Sequence, residues 1–183
     1  MSTYGVVVIA DVPEVAAAEA LVERVSGVLR ASWGAGSCPV DDLDYEVEES
    51  EAGVRVSISV PGMVTDHREA KFFASAPSGR AVICEDGDEF GVVFQVWRLD
   101  PDGSECLYRA YVHDPDLDAE PEALARTITG AAAAQAAAEL FGGSPASLLA
   151  LEVDPSPVSE ELGVIGTPFD PWLEPFGLQW PDL

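Results

Sequence analysis

The chain is poor in positive charge. Nine Lys and Arg, with Lys71 the single lysine, stand against 33 Asp and Glu, and no basic residue follows Arg126. A protein of this sign repels phosphate, so nucleic acid and anionic membrane are excluded as direct partners. Histidine is scarce too, with only His67 and His113, and no Gly-x-Ser-x-Gly elbow places a serine nucleophile beside either. Cys38, Cys84 and Cys106 are odd in number and none lies at C-x-x-C spacing, which argues against a zinc knuckle or redox pair and for free thiols in a reducing compartment. Glycine never forms Gly-x-x-x-x-Gly-Lys or Gly-x-Gly-x-x-Gly, so no nucleotide cradle is expected. Long apolar runs are missing as well. The first one stops at Asp11 and has no basic residue before it, so it reads as a strand rather than a signal peptide, and a cytoplasmic location is expected.

What the chain does have is acid, and the acid is bunched. Residues 41–51 hold seven carboxylates, 85–89 hold four and 114–122 hold five. The net charge of −24 far exceeds the magnitude of roughly 2 to 8 that suits a small domain. High-salt adaptation scatters acids over a surface, whereas bunching marks particular faces that attract cations. Asp114-x-Asp116-x-Asp118 has the opening spacing of an EF-hand loop. Ala119 replaces the turn glycine, however, and Ala125 the bidentate glutamate, so no metal or other cofactor is expected.

With 183 residues and 48% apolar content, the chain has enough material for one buried core. Residues 4–10 form a β-branched run. Asp11-Val-Pro-Glu14 then carries the signals of a helix start, with Asp11 as the cap, and Val15, Ala18, Leu21, Val22, Val25 and Leu29 follow at helical spacing. Period two takes over at residues 42–48, where Leu43, Tyr45 and Val47 alternate with Asp42, Asp44, Glu46 and Glu48. On a strand this spacing lines four carboxylates along one face. Val54, Val56, Ile58 and Val60 supply an antiparallel partner, from which Arg55 is positioned to offset part of the acidic row.

Residues 64–74 are weakly helical. Strands are expected over 80–84, 90–99 and 105–113, with tight turns at 85–89 and at Asp100-Pro-Asp-Gly103, and the doubly apolar 90–99 placed centrally in the sheet. A single alanine-rich helix is expected over 121–141, closed by Gly142-Gly143, followed by a last strand over 148–153. Residues 154–183 carry six prolines and the aromatics Phe169, Trp172, Phe176 and Trp180, which together suggest an extended arm that either covers its own domain or docks on a partner.

The fold expected is therefore α+β: a domain over 1–153 with a mainly antiparallel sheet of about five to seven strands and two long helices on one face, then a C-terminal arm over 154–183. The expected function is non-enzymatic recognition of a basic protein surface, as an inhibitor, immunity-type protein or escort. The partner would meet Asp42, Asp44, Glu46, Glu48, Glu49 and Glu51, with the arm aromatics as further anchors. Two other classes fit the same residues. One is a small-molecule enzyme with an incidental acidic surface, and the other is an assembly subunit that self-associates through its arm.

Overall fold

Alternation within the first strand sorts its side chains to two separate cores. Val6, Val8, Ala10 and Val12 pack on one side of the sheet and Val7 and Ile9 on the other. The computed structural model describes residues 5–33, 43–61, 69–87 and 91–183. Its strands are β1 (Gly5–Val12), β2 (Asp44–Ser50), β3 (Gly53–Pro61), β4 (Gly79–Asp86), β5 (Val92–Leu99) and β6 (Glu105–Val112). They form one sheet in the order β2-β3-β1-β4-β5-β6, antiparallel at every pairing. The α+β class and the antiparallel sheet are as the sequence indicates. β5 is buried on both faces as expected of its apolar run, although β1 and β4 hold the centre.

Helix α1 (Val15–Trp33) lays Ala18, Leu21, Val25 and Leu29 on the face built by Val56, Ile58, Val60, Ala81 and Ile83. The short α2 (Glu69–Phe72) adds Phe72 to that side. Among the described residues, the other helices that add to the core, those over 131–173, lie on the opposite face, so the expectation of both long helices on one face is corrected. The cause is β1 and β4, which are apolar at successive positions and so need cover on both sides.

The expected helix over 121–141 is two helices, α3 (Pro121–Ala125) and α4 (Ala131–Phe141). Between them Ile128 exchanges backbone hydrogen bonds with Arg109 of β6, at 2.8 and 2.9 Å, and so extends the sheet edge. Gly130 then turns the chain at φ 94°, a conformation that favours glycine, and Gly142 closes α4 in the left-handed region. The expected strand over 148–153 is helix α5 (Pro145–Val153). Ser144 caps it by accepting the Ala146 N–H, Pro145 stands in its first turn, and Leu148 and Leu151, one helical turn apart, are the buried pair.

Residues 154–183 are also unlike the extended arm expected. They fold as α6 (Ser156–Ser159), α7 (Asp170–Leu173) and the 3-10 turns Thr167–Phe169 and Glu174–Phe176, each with proline in its first turn. Proline breaks a helix from inside but opens one readily, because its missing N–H has no intrahelical partner there anyway. Trp172 stacks on Phe94 of β5 at 5.2 Å and 2°, Phe176 stacks on Phe141 at 4.9 Å, and Phe169 on Trp180 at 5.3 Å. This region is thus the second half of the core.

Candidate functional site

Two places in this framework bring chemistry together, one at each edge of the sheet. The first is β2, whose residues are exposed along nearly its whole length. The register sets Asp44 opposite Ser59, Glu46 opposite Ser57 and Glu48 opposite Arg55, which puts three carboxylates on one face at a spacing of about 7 Å. Tyr45, Val47 and Glu49 take the other face, with Tyr45 50% and Val47 37% exposed. Glu49 and Glu51 are exposed as well; Asp42 lies outside the described residues.

The neighbouring cations of the sheet are claimed by Asp11 instead. Asp11 is a β1 residue, not the helix cap expected: α1 starts after Glu14, whose carbonyl oxygen accepts the Ala17 and Ala18 N–H groups. Its buried carboxylate accepts from Arg55 Nε at 2.8 Å and Nη2 at 3.1 Å, and from Arg80 Nε at 2.8 Å. Arg80 also donates to Leu140 O and lies over the Phe141 ring at 4.6 Å, which ties β1, β3, β4 and α4 together. Arg98, next along the register, pairs with Glu105 at 3.0 Å. Arg55, expected to offset the β2 acids, is thus held by Asp11. Among the described residues, Asp44, Glu46 and Glu48 form no ion pair.

The second place is a cavity of ≈ 600 Å³ at the β6 edge, where the sheet, the 114–130 segment and α5 meet. Ala110 and Val112 of β6 line it with Leu124, Leu151 and Trp172, while Thr127, Glu152 and His113 contribute polar groups. Tyr108 and Trp172 are buried to 0% and 1% exposure, yet neither the Tyr108 hydroxyl nor the Trp172 indole N–H makes a hydrogen bond of good geometry; the hydroxyl only comes near the Glu152 carboxylate and the Trp172 N–H. The Glu152 carboxylate beside them accepts the Gly130 N–H with both oxygens, at 3.0 and 3.1 Å. Burial first, then the charge of Glu152 and the approach of the hydroxyl to its carboxylate, push the Tyr108 phenol well above its ordinary pKa; the approach of the Trp172 N–H to the phenol oxygen pulls the other way. Tyr108 is therefore a neutral donor at any physiological pH. Nothing in the sequence marks this trio.

The aromatics expected as docking anchors are placed inside the protein. Phe169, Trp172 and Phe176 are buried in the core, and Trp180 packs against it in a half-buried position. They are corrected from surface anchors to core residues, because β5 and β6 present an apolar face that this part of the chain covers together with α4 and α5. Asp114, first of the calcium-like acids, has its own local task, accepting the Asp116 N–H at 2.8 Å to form a turn. Among the described residues no group of three or more His, Cys, Asp and Glu side chains is placed to hold a metal ion, and no helix is long and apolar enough to cross a membrane. Cys84 is buried with its thiol pKa pushed up by desolvation, which makes it an inert core residue. Compared with protein-family profiles, with curated proteins and with solved structures, the chain matches none.

Proposed function

We propose that this protein is a non-enzymatic binding module that recognises a basic protein surface through β2. One observation carries the reading: Asp44, Glu46 and Glu48 line one exposed face of an edge strand, and the nearest cation of the sheet is committed to Asp11. A salvaged ion pair across β2 and β3 would have reduced the row to a solvated face. Without one, its field is free to steer a Lys- or Arg-rich partner. Carboxylates about 7 Å apart match basic residues at alternate positions of a partner strand, and among the described residues no strand pairs with the second hydrogen-bonding edge of β2. An inhibitor, immunity-type protein or escort of a cationic protein would use the surface in this way.

Charges on an edge strand also discourage strands of other copies from pairing there, and that role alone accounts for some acid on β2. The two roles differ in outcome when the sign is reversed. The test is low-salt affinity capture from source-cell lysate with three baits: wild type, D44K/E46K/E48K, and a control reversal, D114K/D116K/D118K. A basic protein retained by wild type and by the control, but lost from the β2 variant, supports the reading. Equal retention by all three baits, or retention of nothing basic, refutes it.

A further inference from the structure

Buried polar atoms without partners are rare in folded proteins, because each gives up its bonds to water and receives nothing in exchange. Those found here belong to Ser50, Tyr108, Arg109 and Trp172. Two of these four residues line one and the same cavity, and that cavity has the volume of a small-molecule site. We propose that the β6-edge cavity binds a small uncharged molecule whose carbonyl or hydroxyl oxygen accepts from both the Tyr108 hydroxyl and the Trp172 indole N–H. The apolar body of the ligand lies against Ala110, Val112, Leu124 and Leu151.

The ligand class follows from the donors and the charge. An indole N–H only donates, and a protonated phenol in this setting donates too, so the missing group is an acceptor; a carbonyl oxygen has two lone pairs, one for each. A carboxylate or phosphate would also accept, but it would enter beside Glu152 in a protein of charge −24. An ammonium brings only donors and offers no lone pair to Tyr108 or Trp172. The donors are fixed in advance. Trp172 cannot rotate away without breaking its stack on Phe94, and Tyr108 is anchored in β6 opposite Val96. Water does not reach either atom in this conformation. Binding therefore requires the exposed Glu152 side chain, which stands beside Tyr108, to move aside. The site is on the opposite sheet edge from β2 and does not depend on the proposed function.

The experiment is a titration of the full-length protein with three matched sets of probes. These are the neutral ketones and alcohols 1-indanone, 1-tetralone and 2-naphthol, the hydrocarbons indane, tetralin and naphthalene, and the corresponding carboxylates. The readout is the indole N–H resonance of Trp172, assigned by its disappearance in W172F. The expected result is that at least one neutral oxygen compound shifts this resonance and binds about tenfold tighter than its hydrocarbon. Y108F should lower that affinity by a similar factor. The proposal is overturned if no ketone or alcohol moves the Trp172 resonance, if hydrocarbons or carboxylates bind as well, or if Y108F binds unchanged. The wild-type comparison among probes stands even if a variant fails to fold.

Discussion

Tyr108→Phe should make the protein more stable, although it removes a polar group from the centre of a candidate site. The substitution deletes one oxygen and keeps the ring, which is packed in the core with Phe94, Val96 and Ala110. In the unfolded chain that hydroxyl bonds to water; in the fold it is shut off from water and makes no hydrogen bond of good geometry. Leaving a buried group unsatisfied costs about 1–3 kcal/mol. The neighbouring Glu152 carboxylate recovers part of this, so a gain of about 1 kcal/mol is expected, or roughly 2–4 °C in Tm for a chain of this size. The same residue predicts a pH effect. Its folded pKa is raised above the ordinary tyrosine value of 10.0, so above that pH the unfolded chain loses a proton that the folded one keeps. Stability is then fully present below about pH 10 and falls as pH rises, by at most about 1.4 kcal/mol per unit. Buried Cys84 adds a similar slope starting near its value of 9.0, and the Tyr108 share is therefore the difference between wild type and Y108F. Urea melts at pH 7 and from pH 8.5 to 11 measure both effects. A Y108F protein less stable than wild type at pH 7, or one with an unchanged alkaline slope, would refute the reasoning.

Two further substitutions probe the frame that holds the sites. Asp11→Ala leaves the Arg55 and Arg80 guanidiniums without their shared carboxylate, and should cost about 3 kcal/mol in a urea melt, at the low end for an orphaned buried charge because both arginines are about one-fifth exposed. A loss below 1 kcal/mol would show that the paired arginines are independently solvated. Gly166→Ala forces a side chain onto a residue at φ 81° and sets its Cβ within 2.7–2.8 Å of the Trp180 ring. About 2 kcal/mol of stability should be lost, with a change in tryptophan fluorescence as Trp180 is displaced; an unchanged spectrum and Tm would contradict the packing of the C-terminal region.

The sheet was legible in the sequence wherever alternation and turn chemistry agreed. Asp100-Pro-Asp-Gly103 makes its turn as written, with Gly103 N–H bonding Asp100 O and the Asp100 side chain accepting the Asp102 N–H. The one-sided pattern of β2 and β3 likewise sets their register. Helices were harder to read where start signals competed with composition. The alanines of 131–138 suit one long helix with what precedes them, but Thr127, Ile128 and Thr129 are β-branched and Ile128 pairs with Arg109. In the C-terminal region proline was read as a breaker, whereas here it repeatedly begins the next turn. The acidic face was visible from spacing alone. The capture of Arg55 by Asp11 was not, because Asp11 lies far from Arg55 and Arg80 in sequence and meets them only through the order β3-β1-β4. The cavity trio was hidden for the same reason: an alternating strand tyrosine, a helix glutamate and a tryptophan between prolines become a site only when the last thirty residues fold back onto β5 and β6.

The central claim is that the carboxylate row of β2 draws in a basic partner, and the most direct measurement is the association rate of a captured basic protein with wild type and with D44K/E46K/E48K across ionic strengths. The account predicts that wild type associates rapidly at low salt and slows steeply as salt screens the row, while the variant is slower by orders of magnitude at low salt and nearly indifferent to ionic strength. Equal rates and equal salt slopes, with both proteins folded, would contradict it.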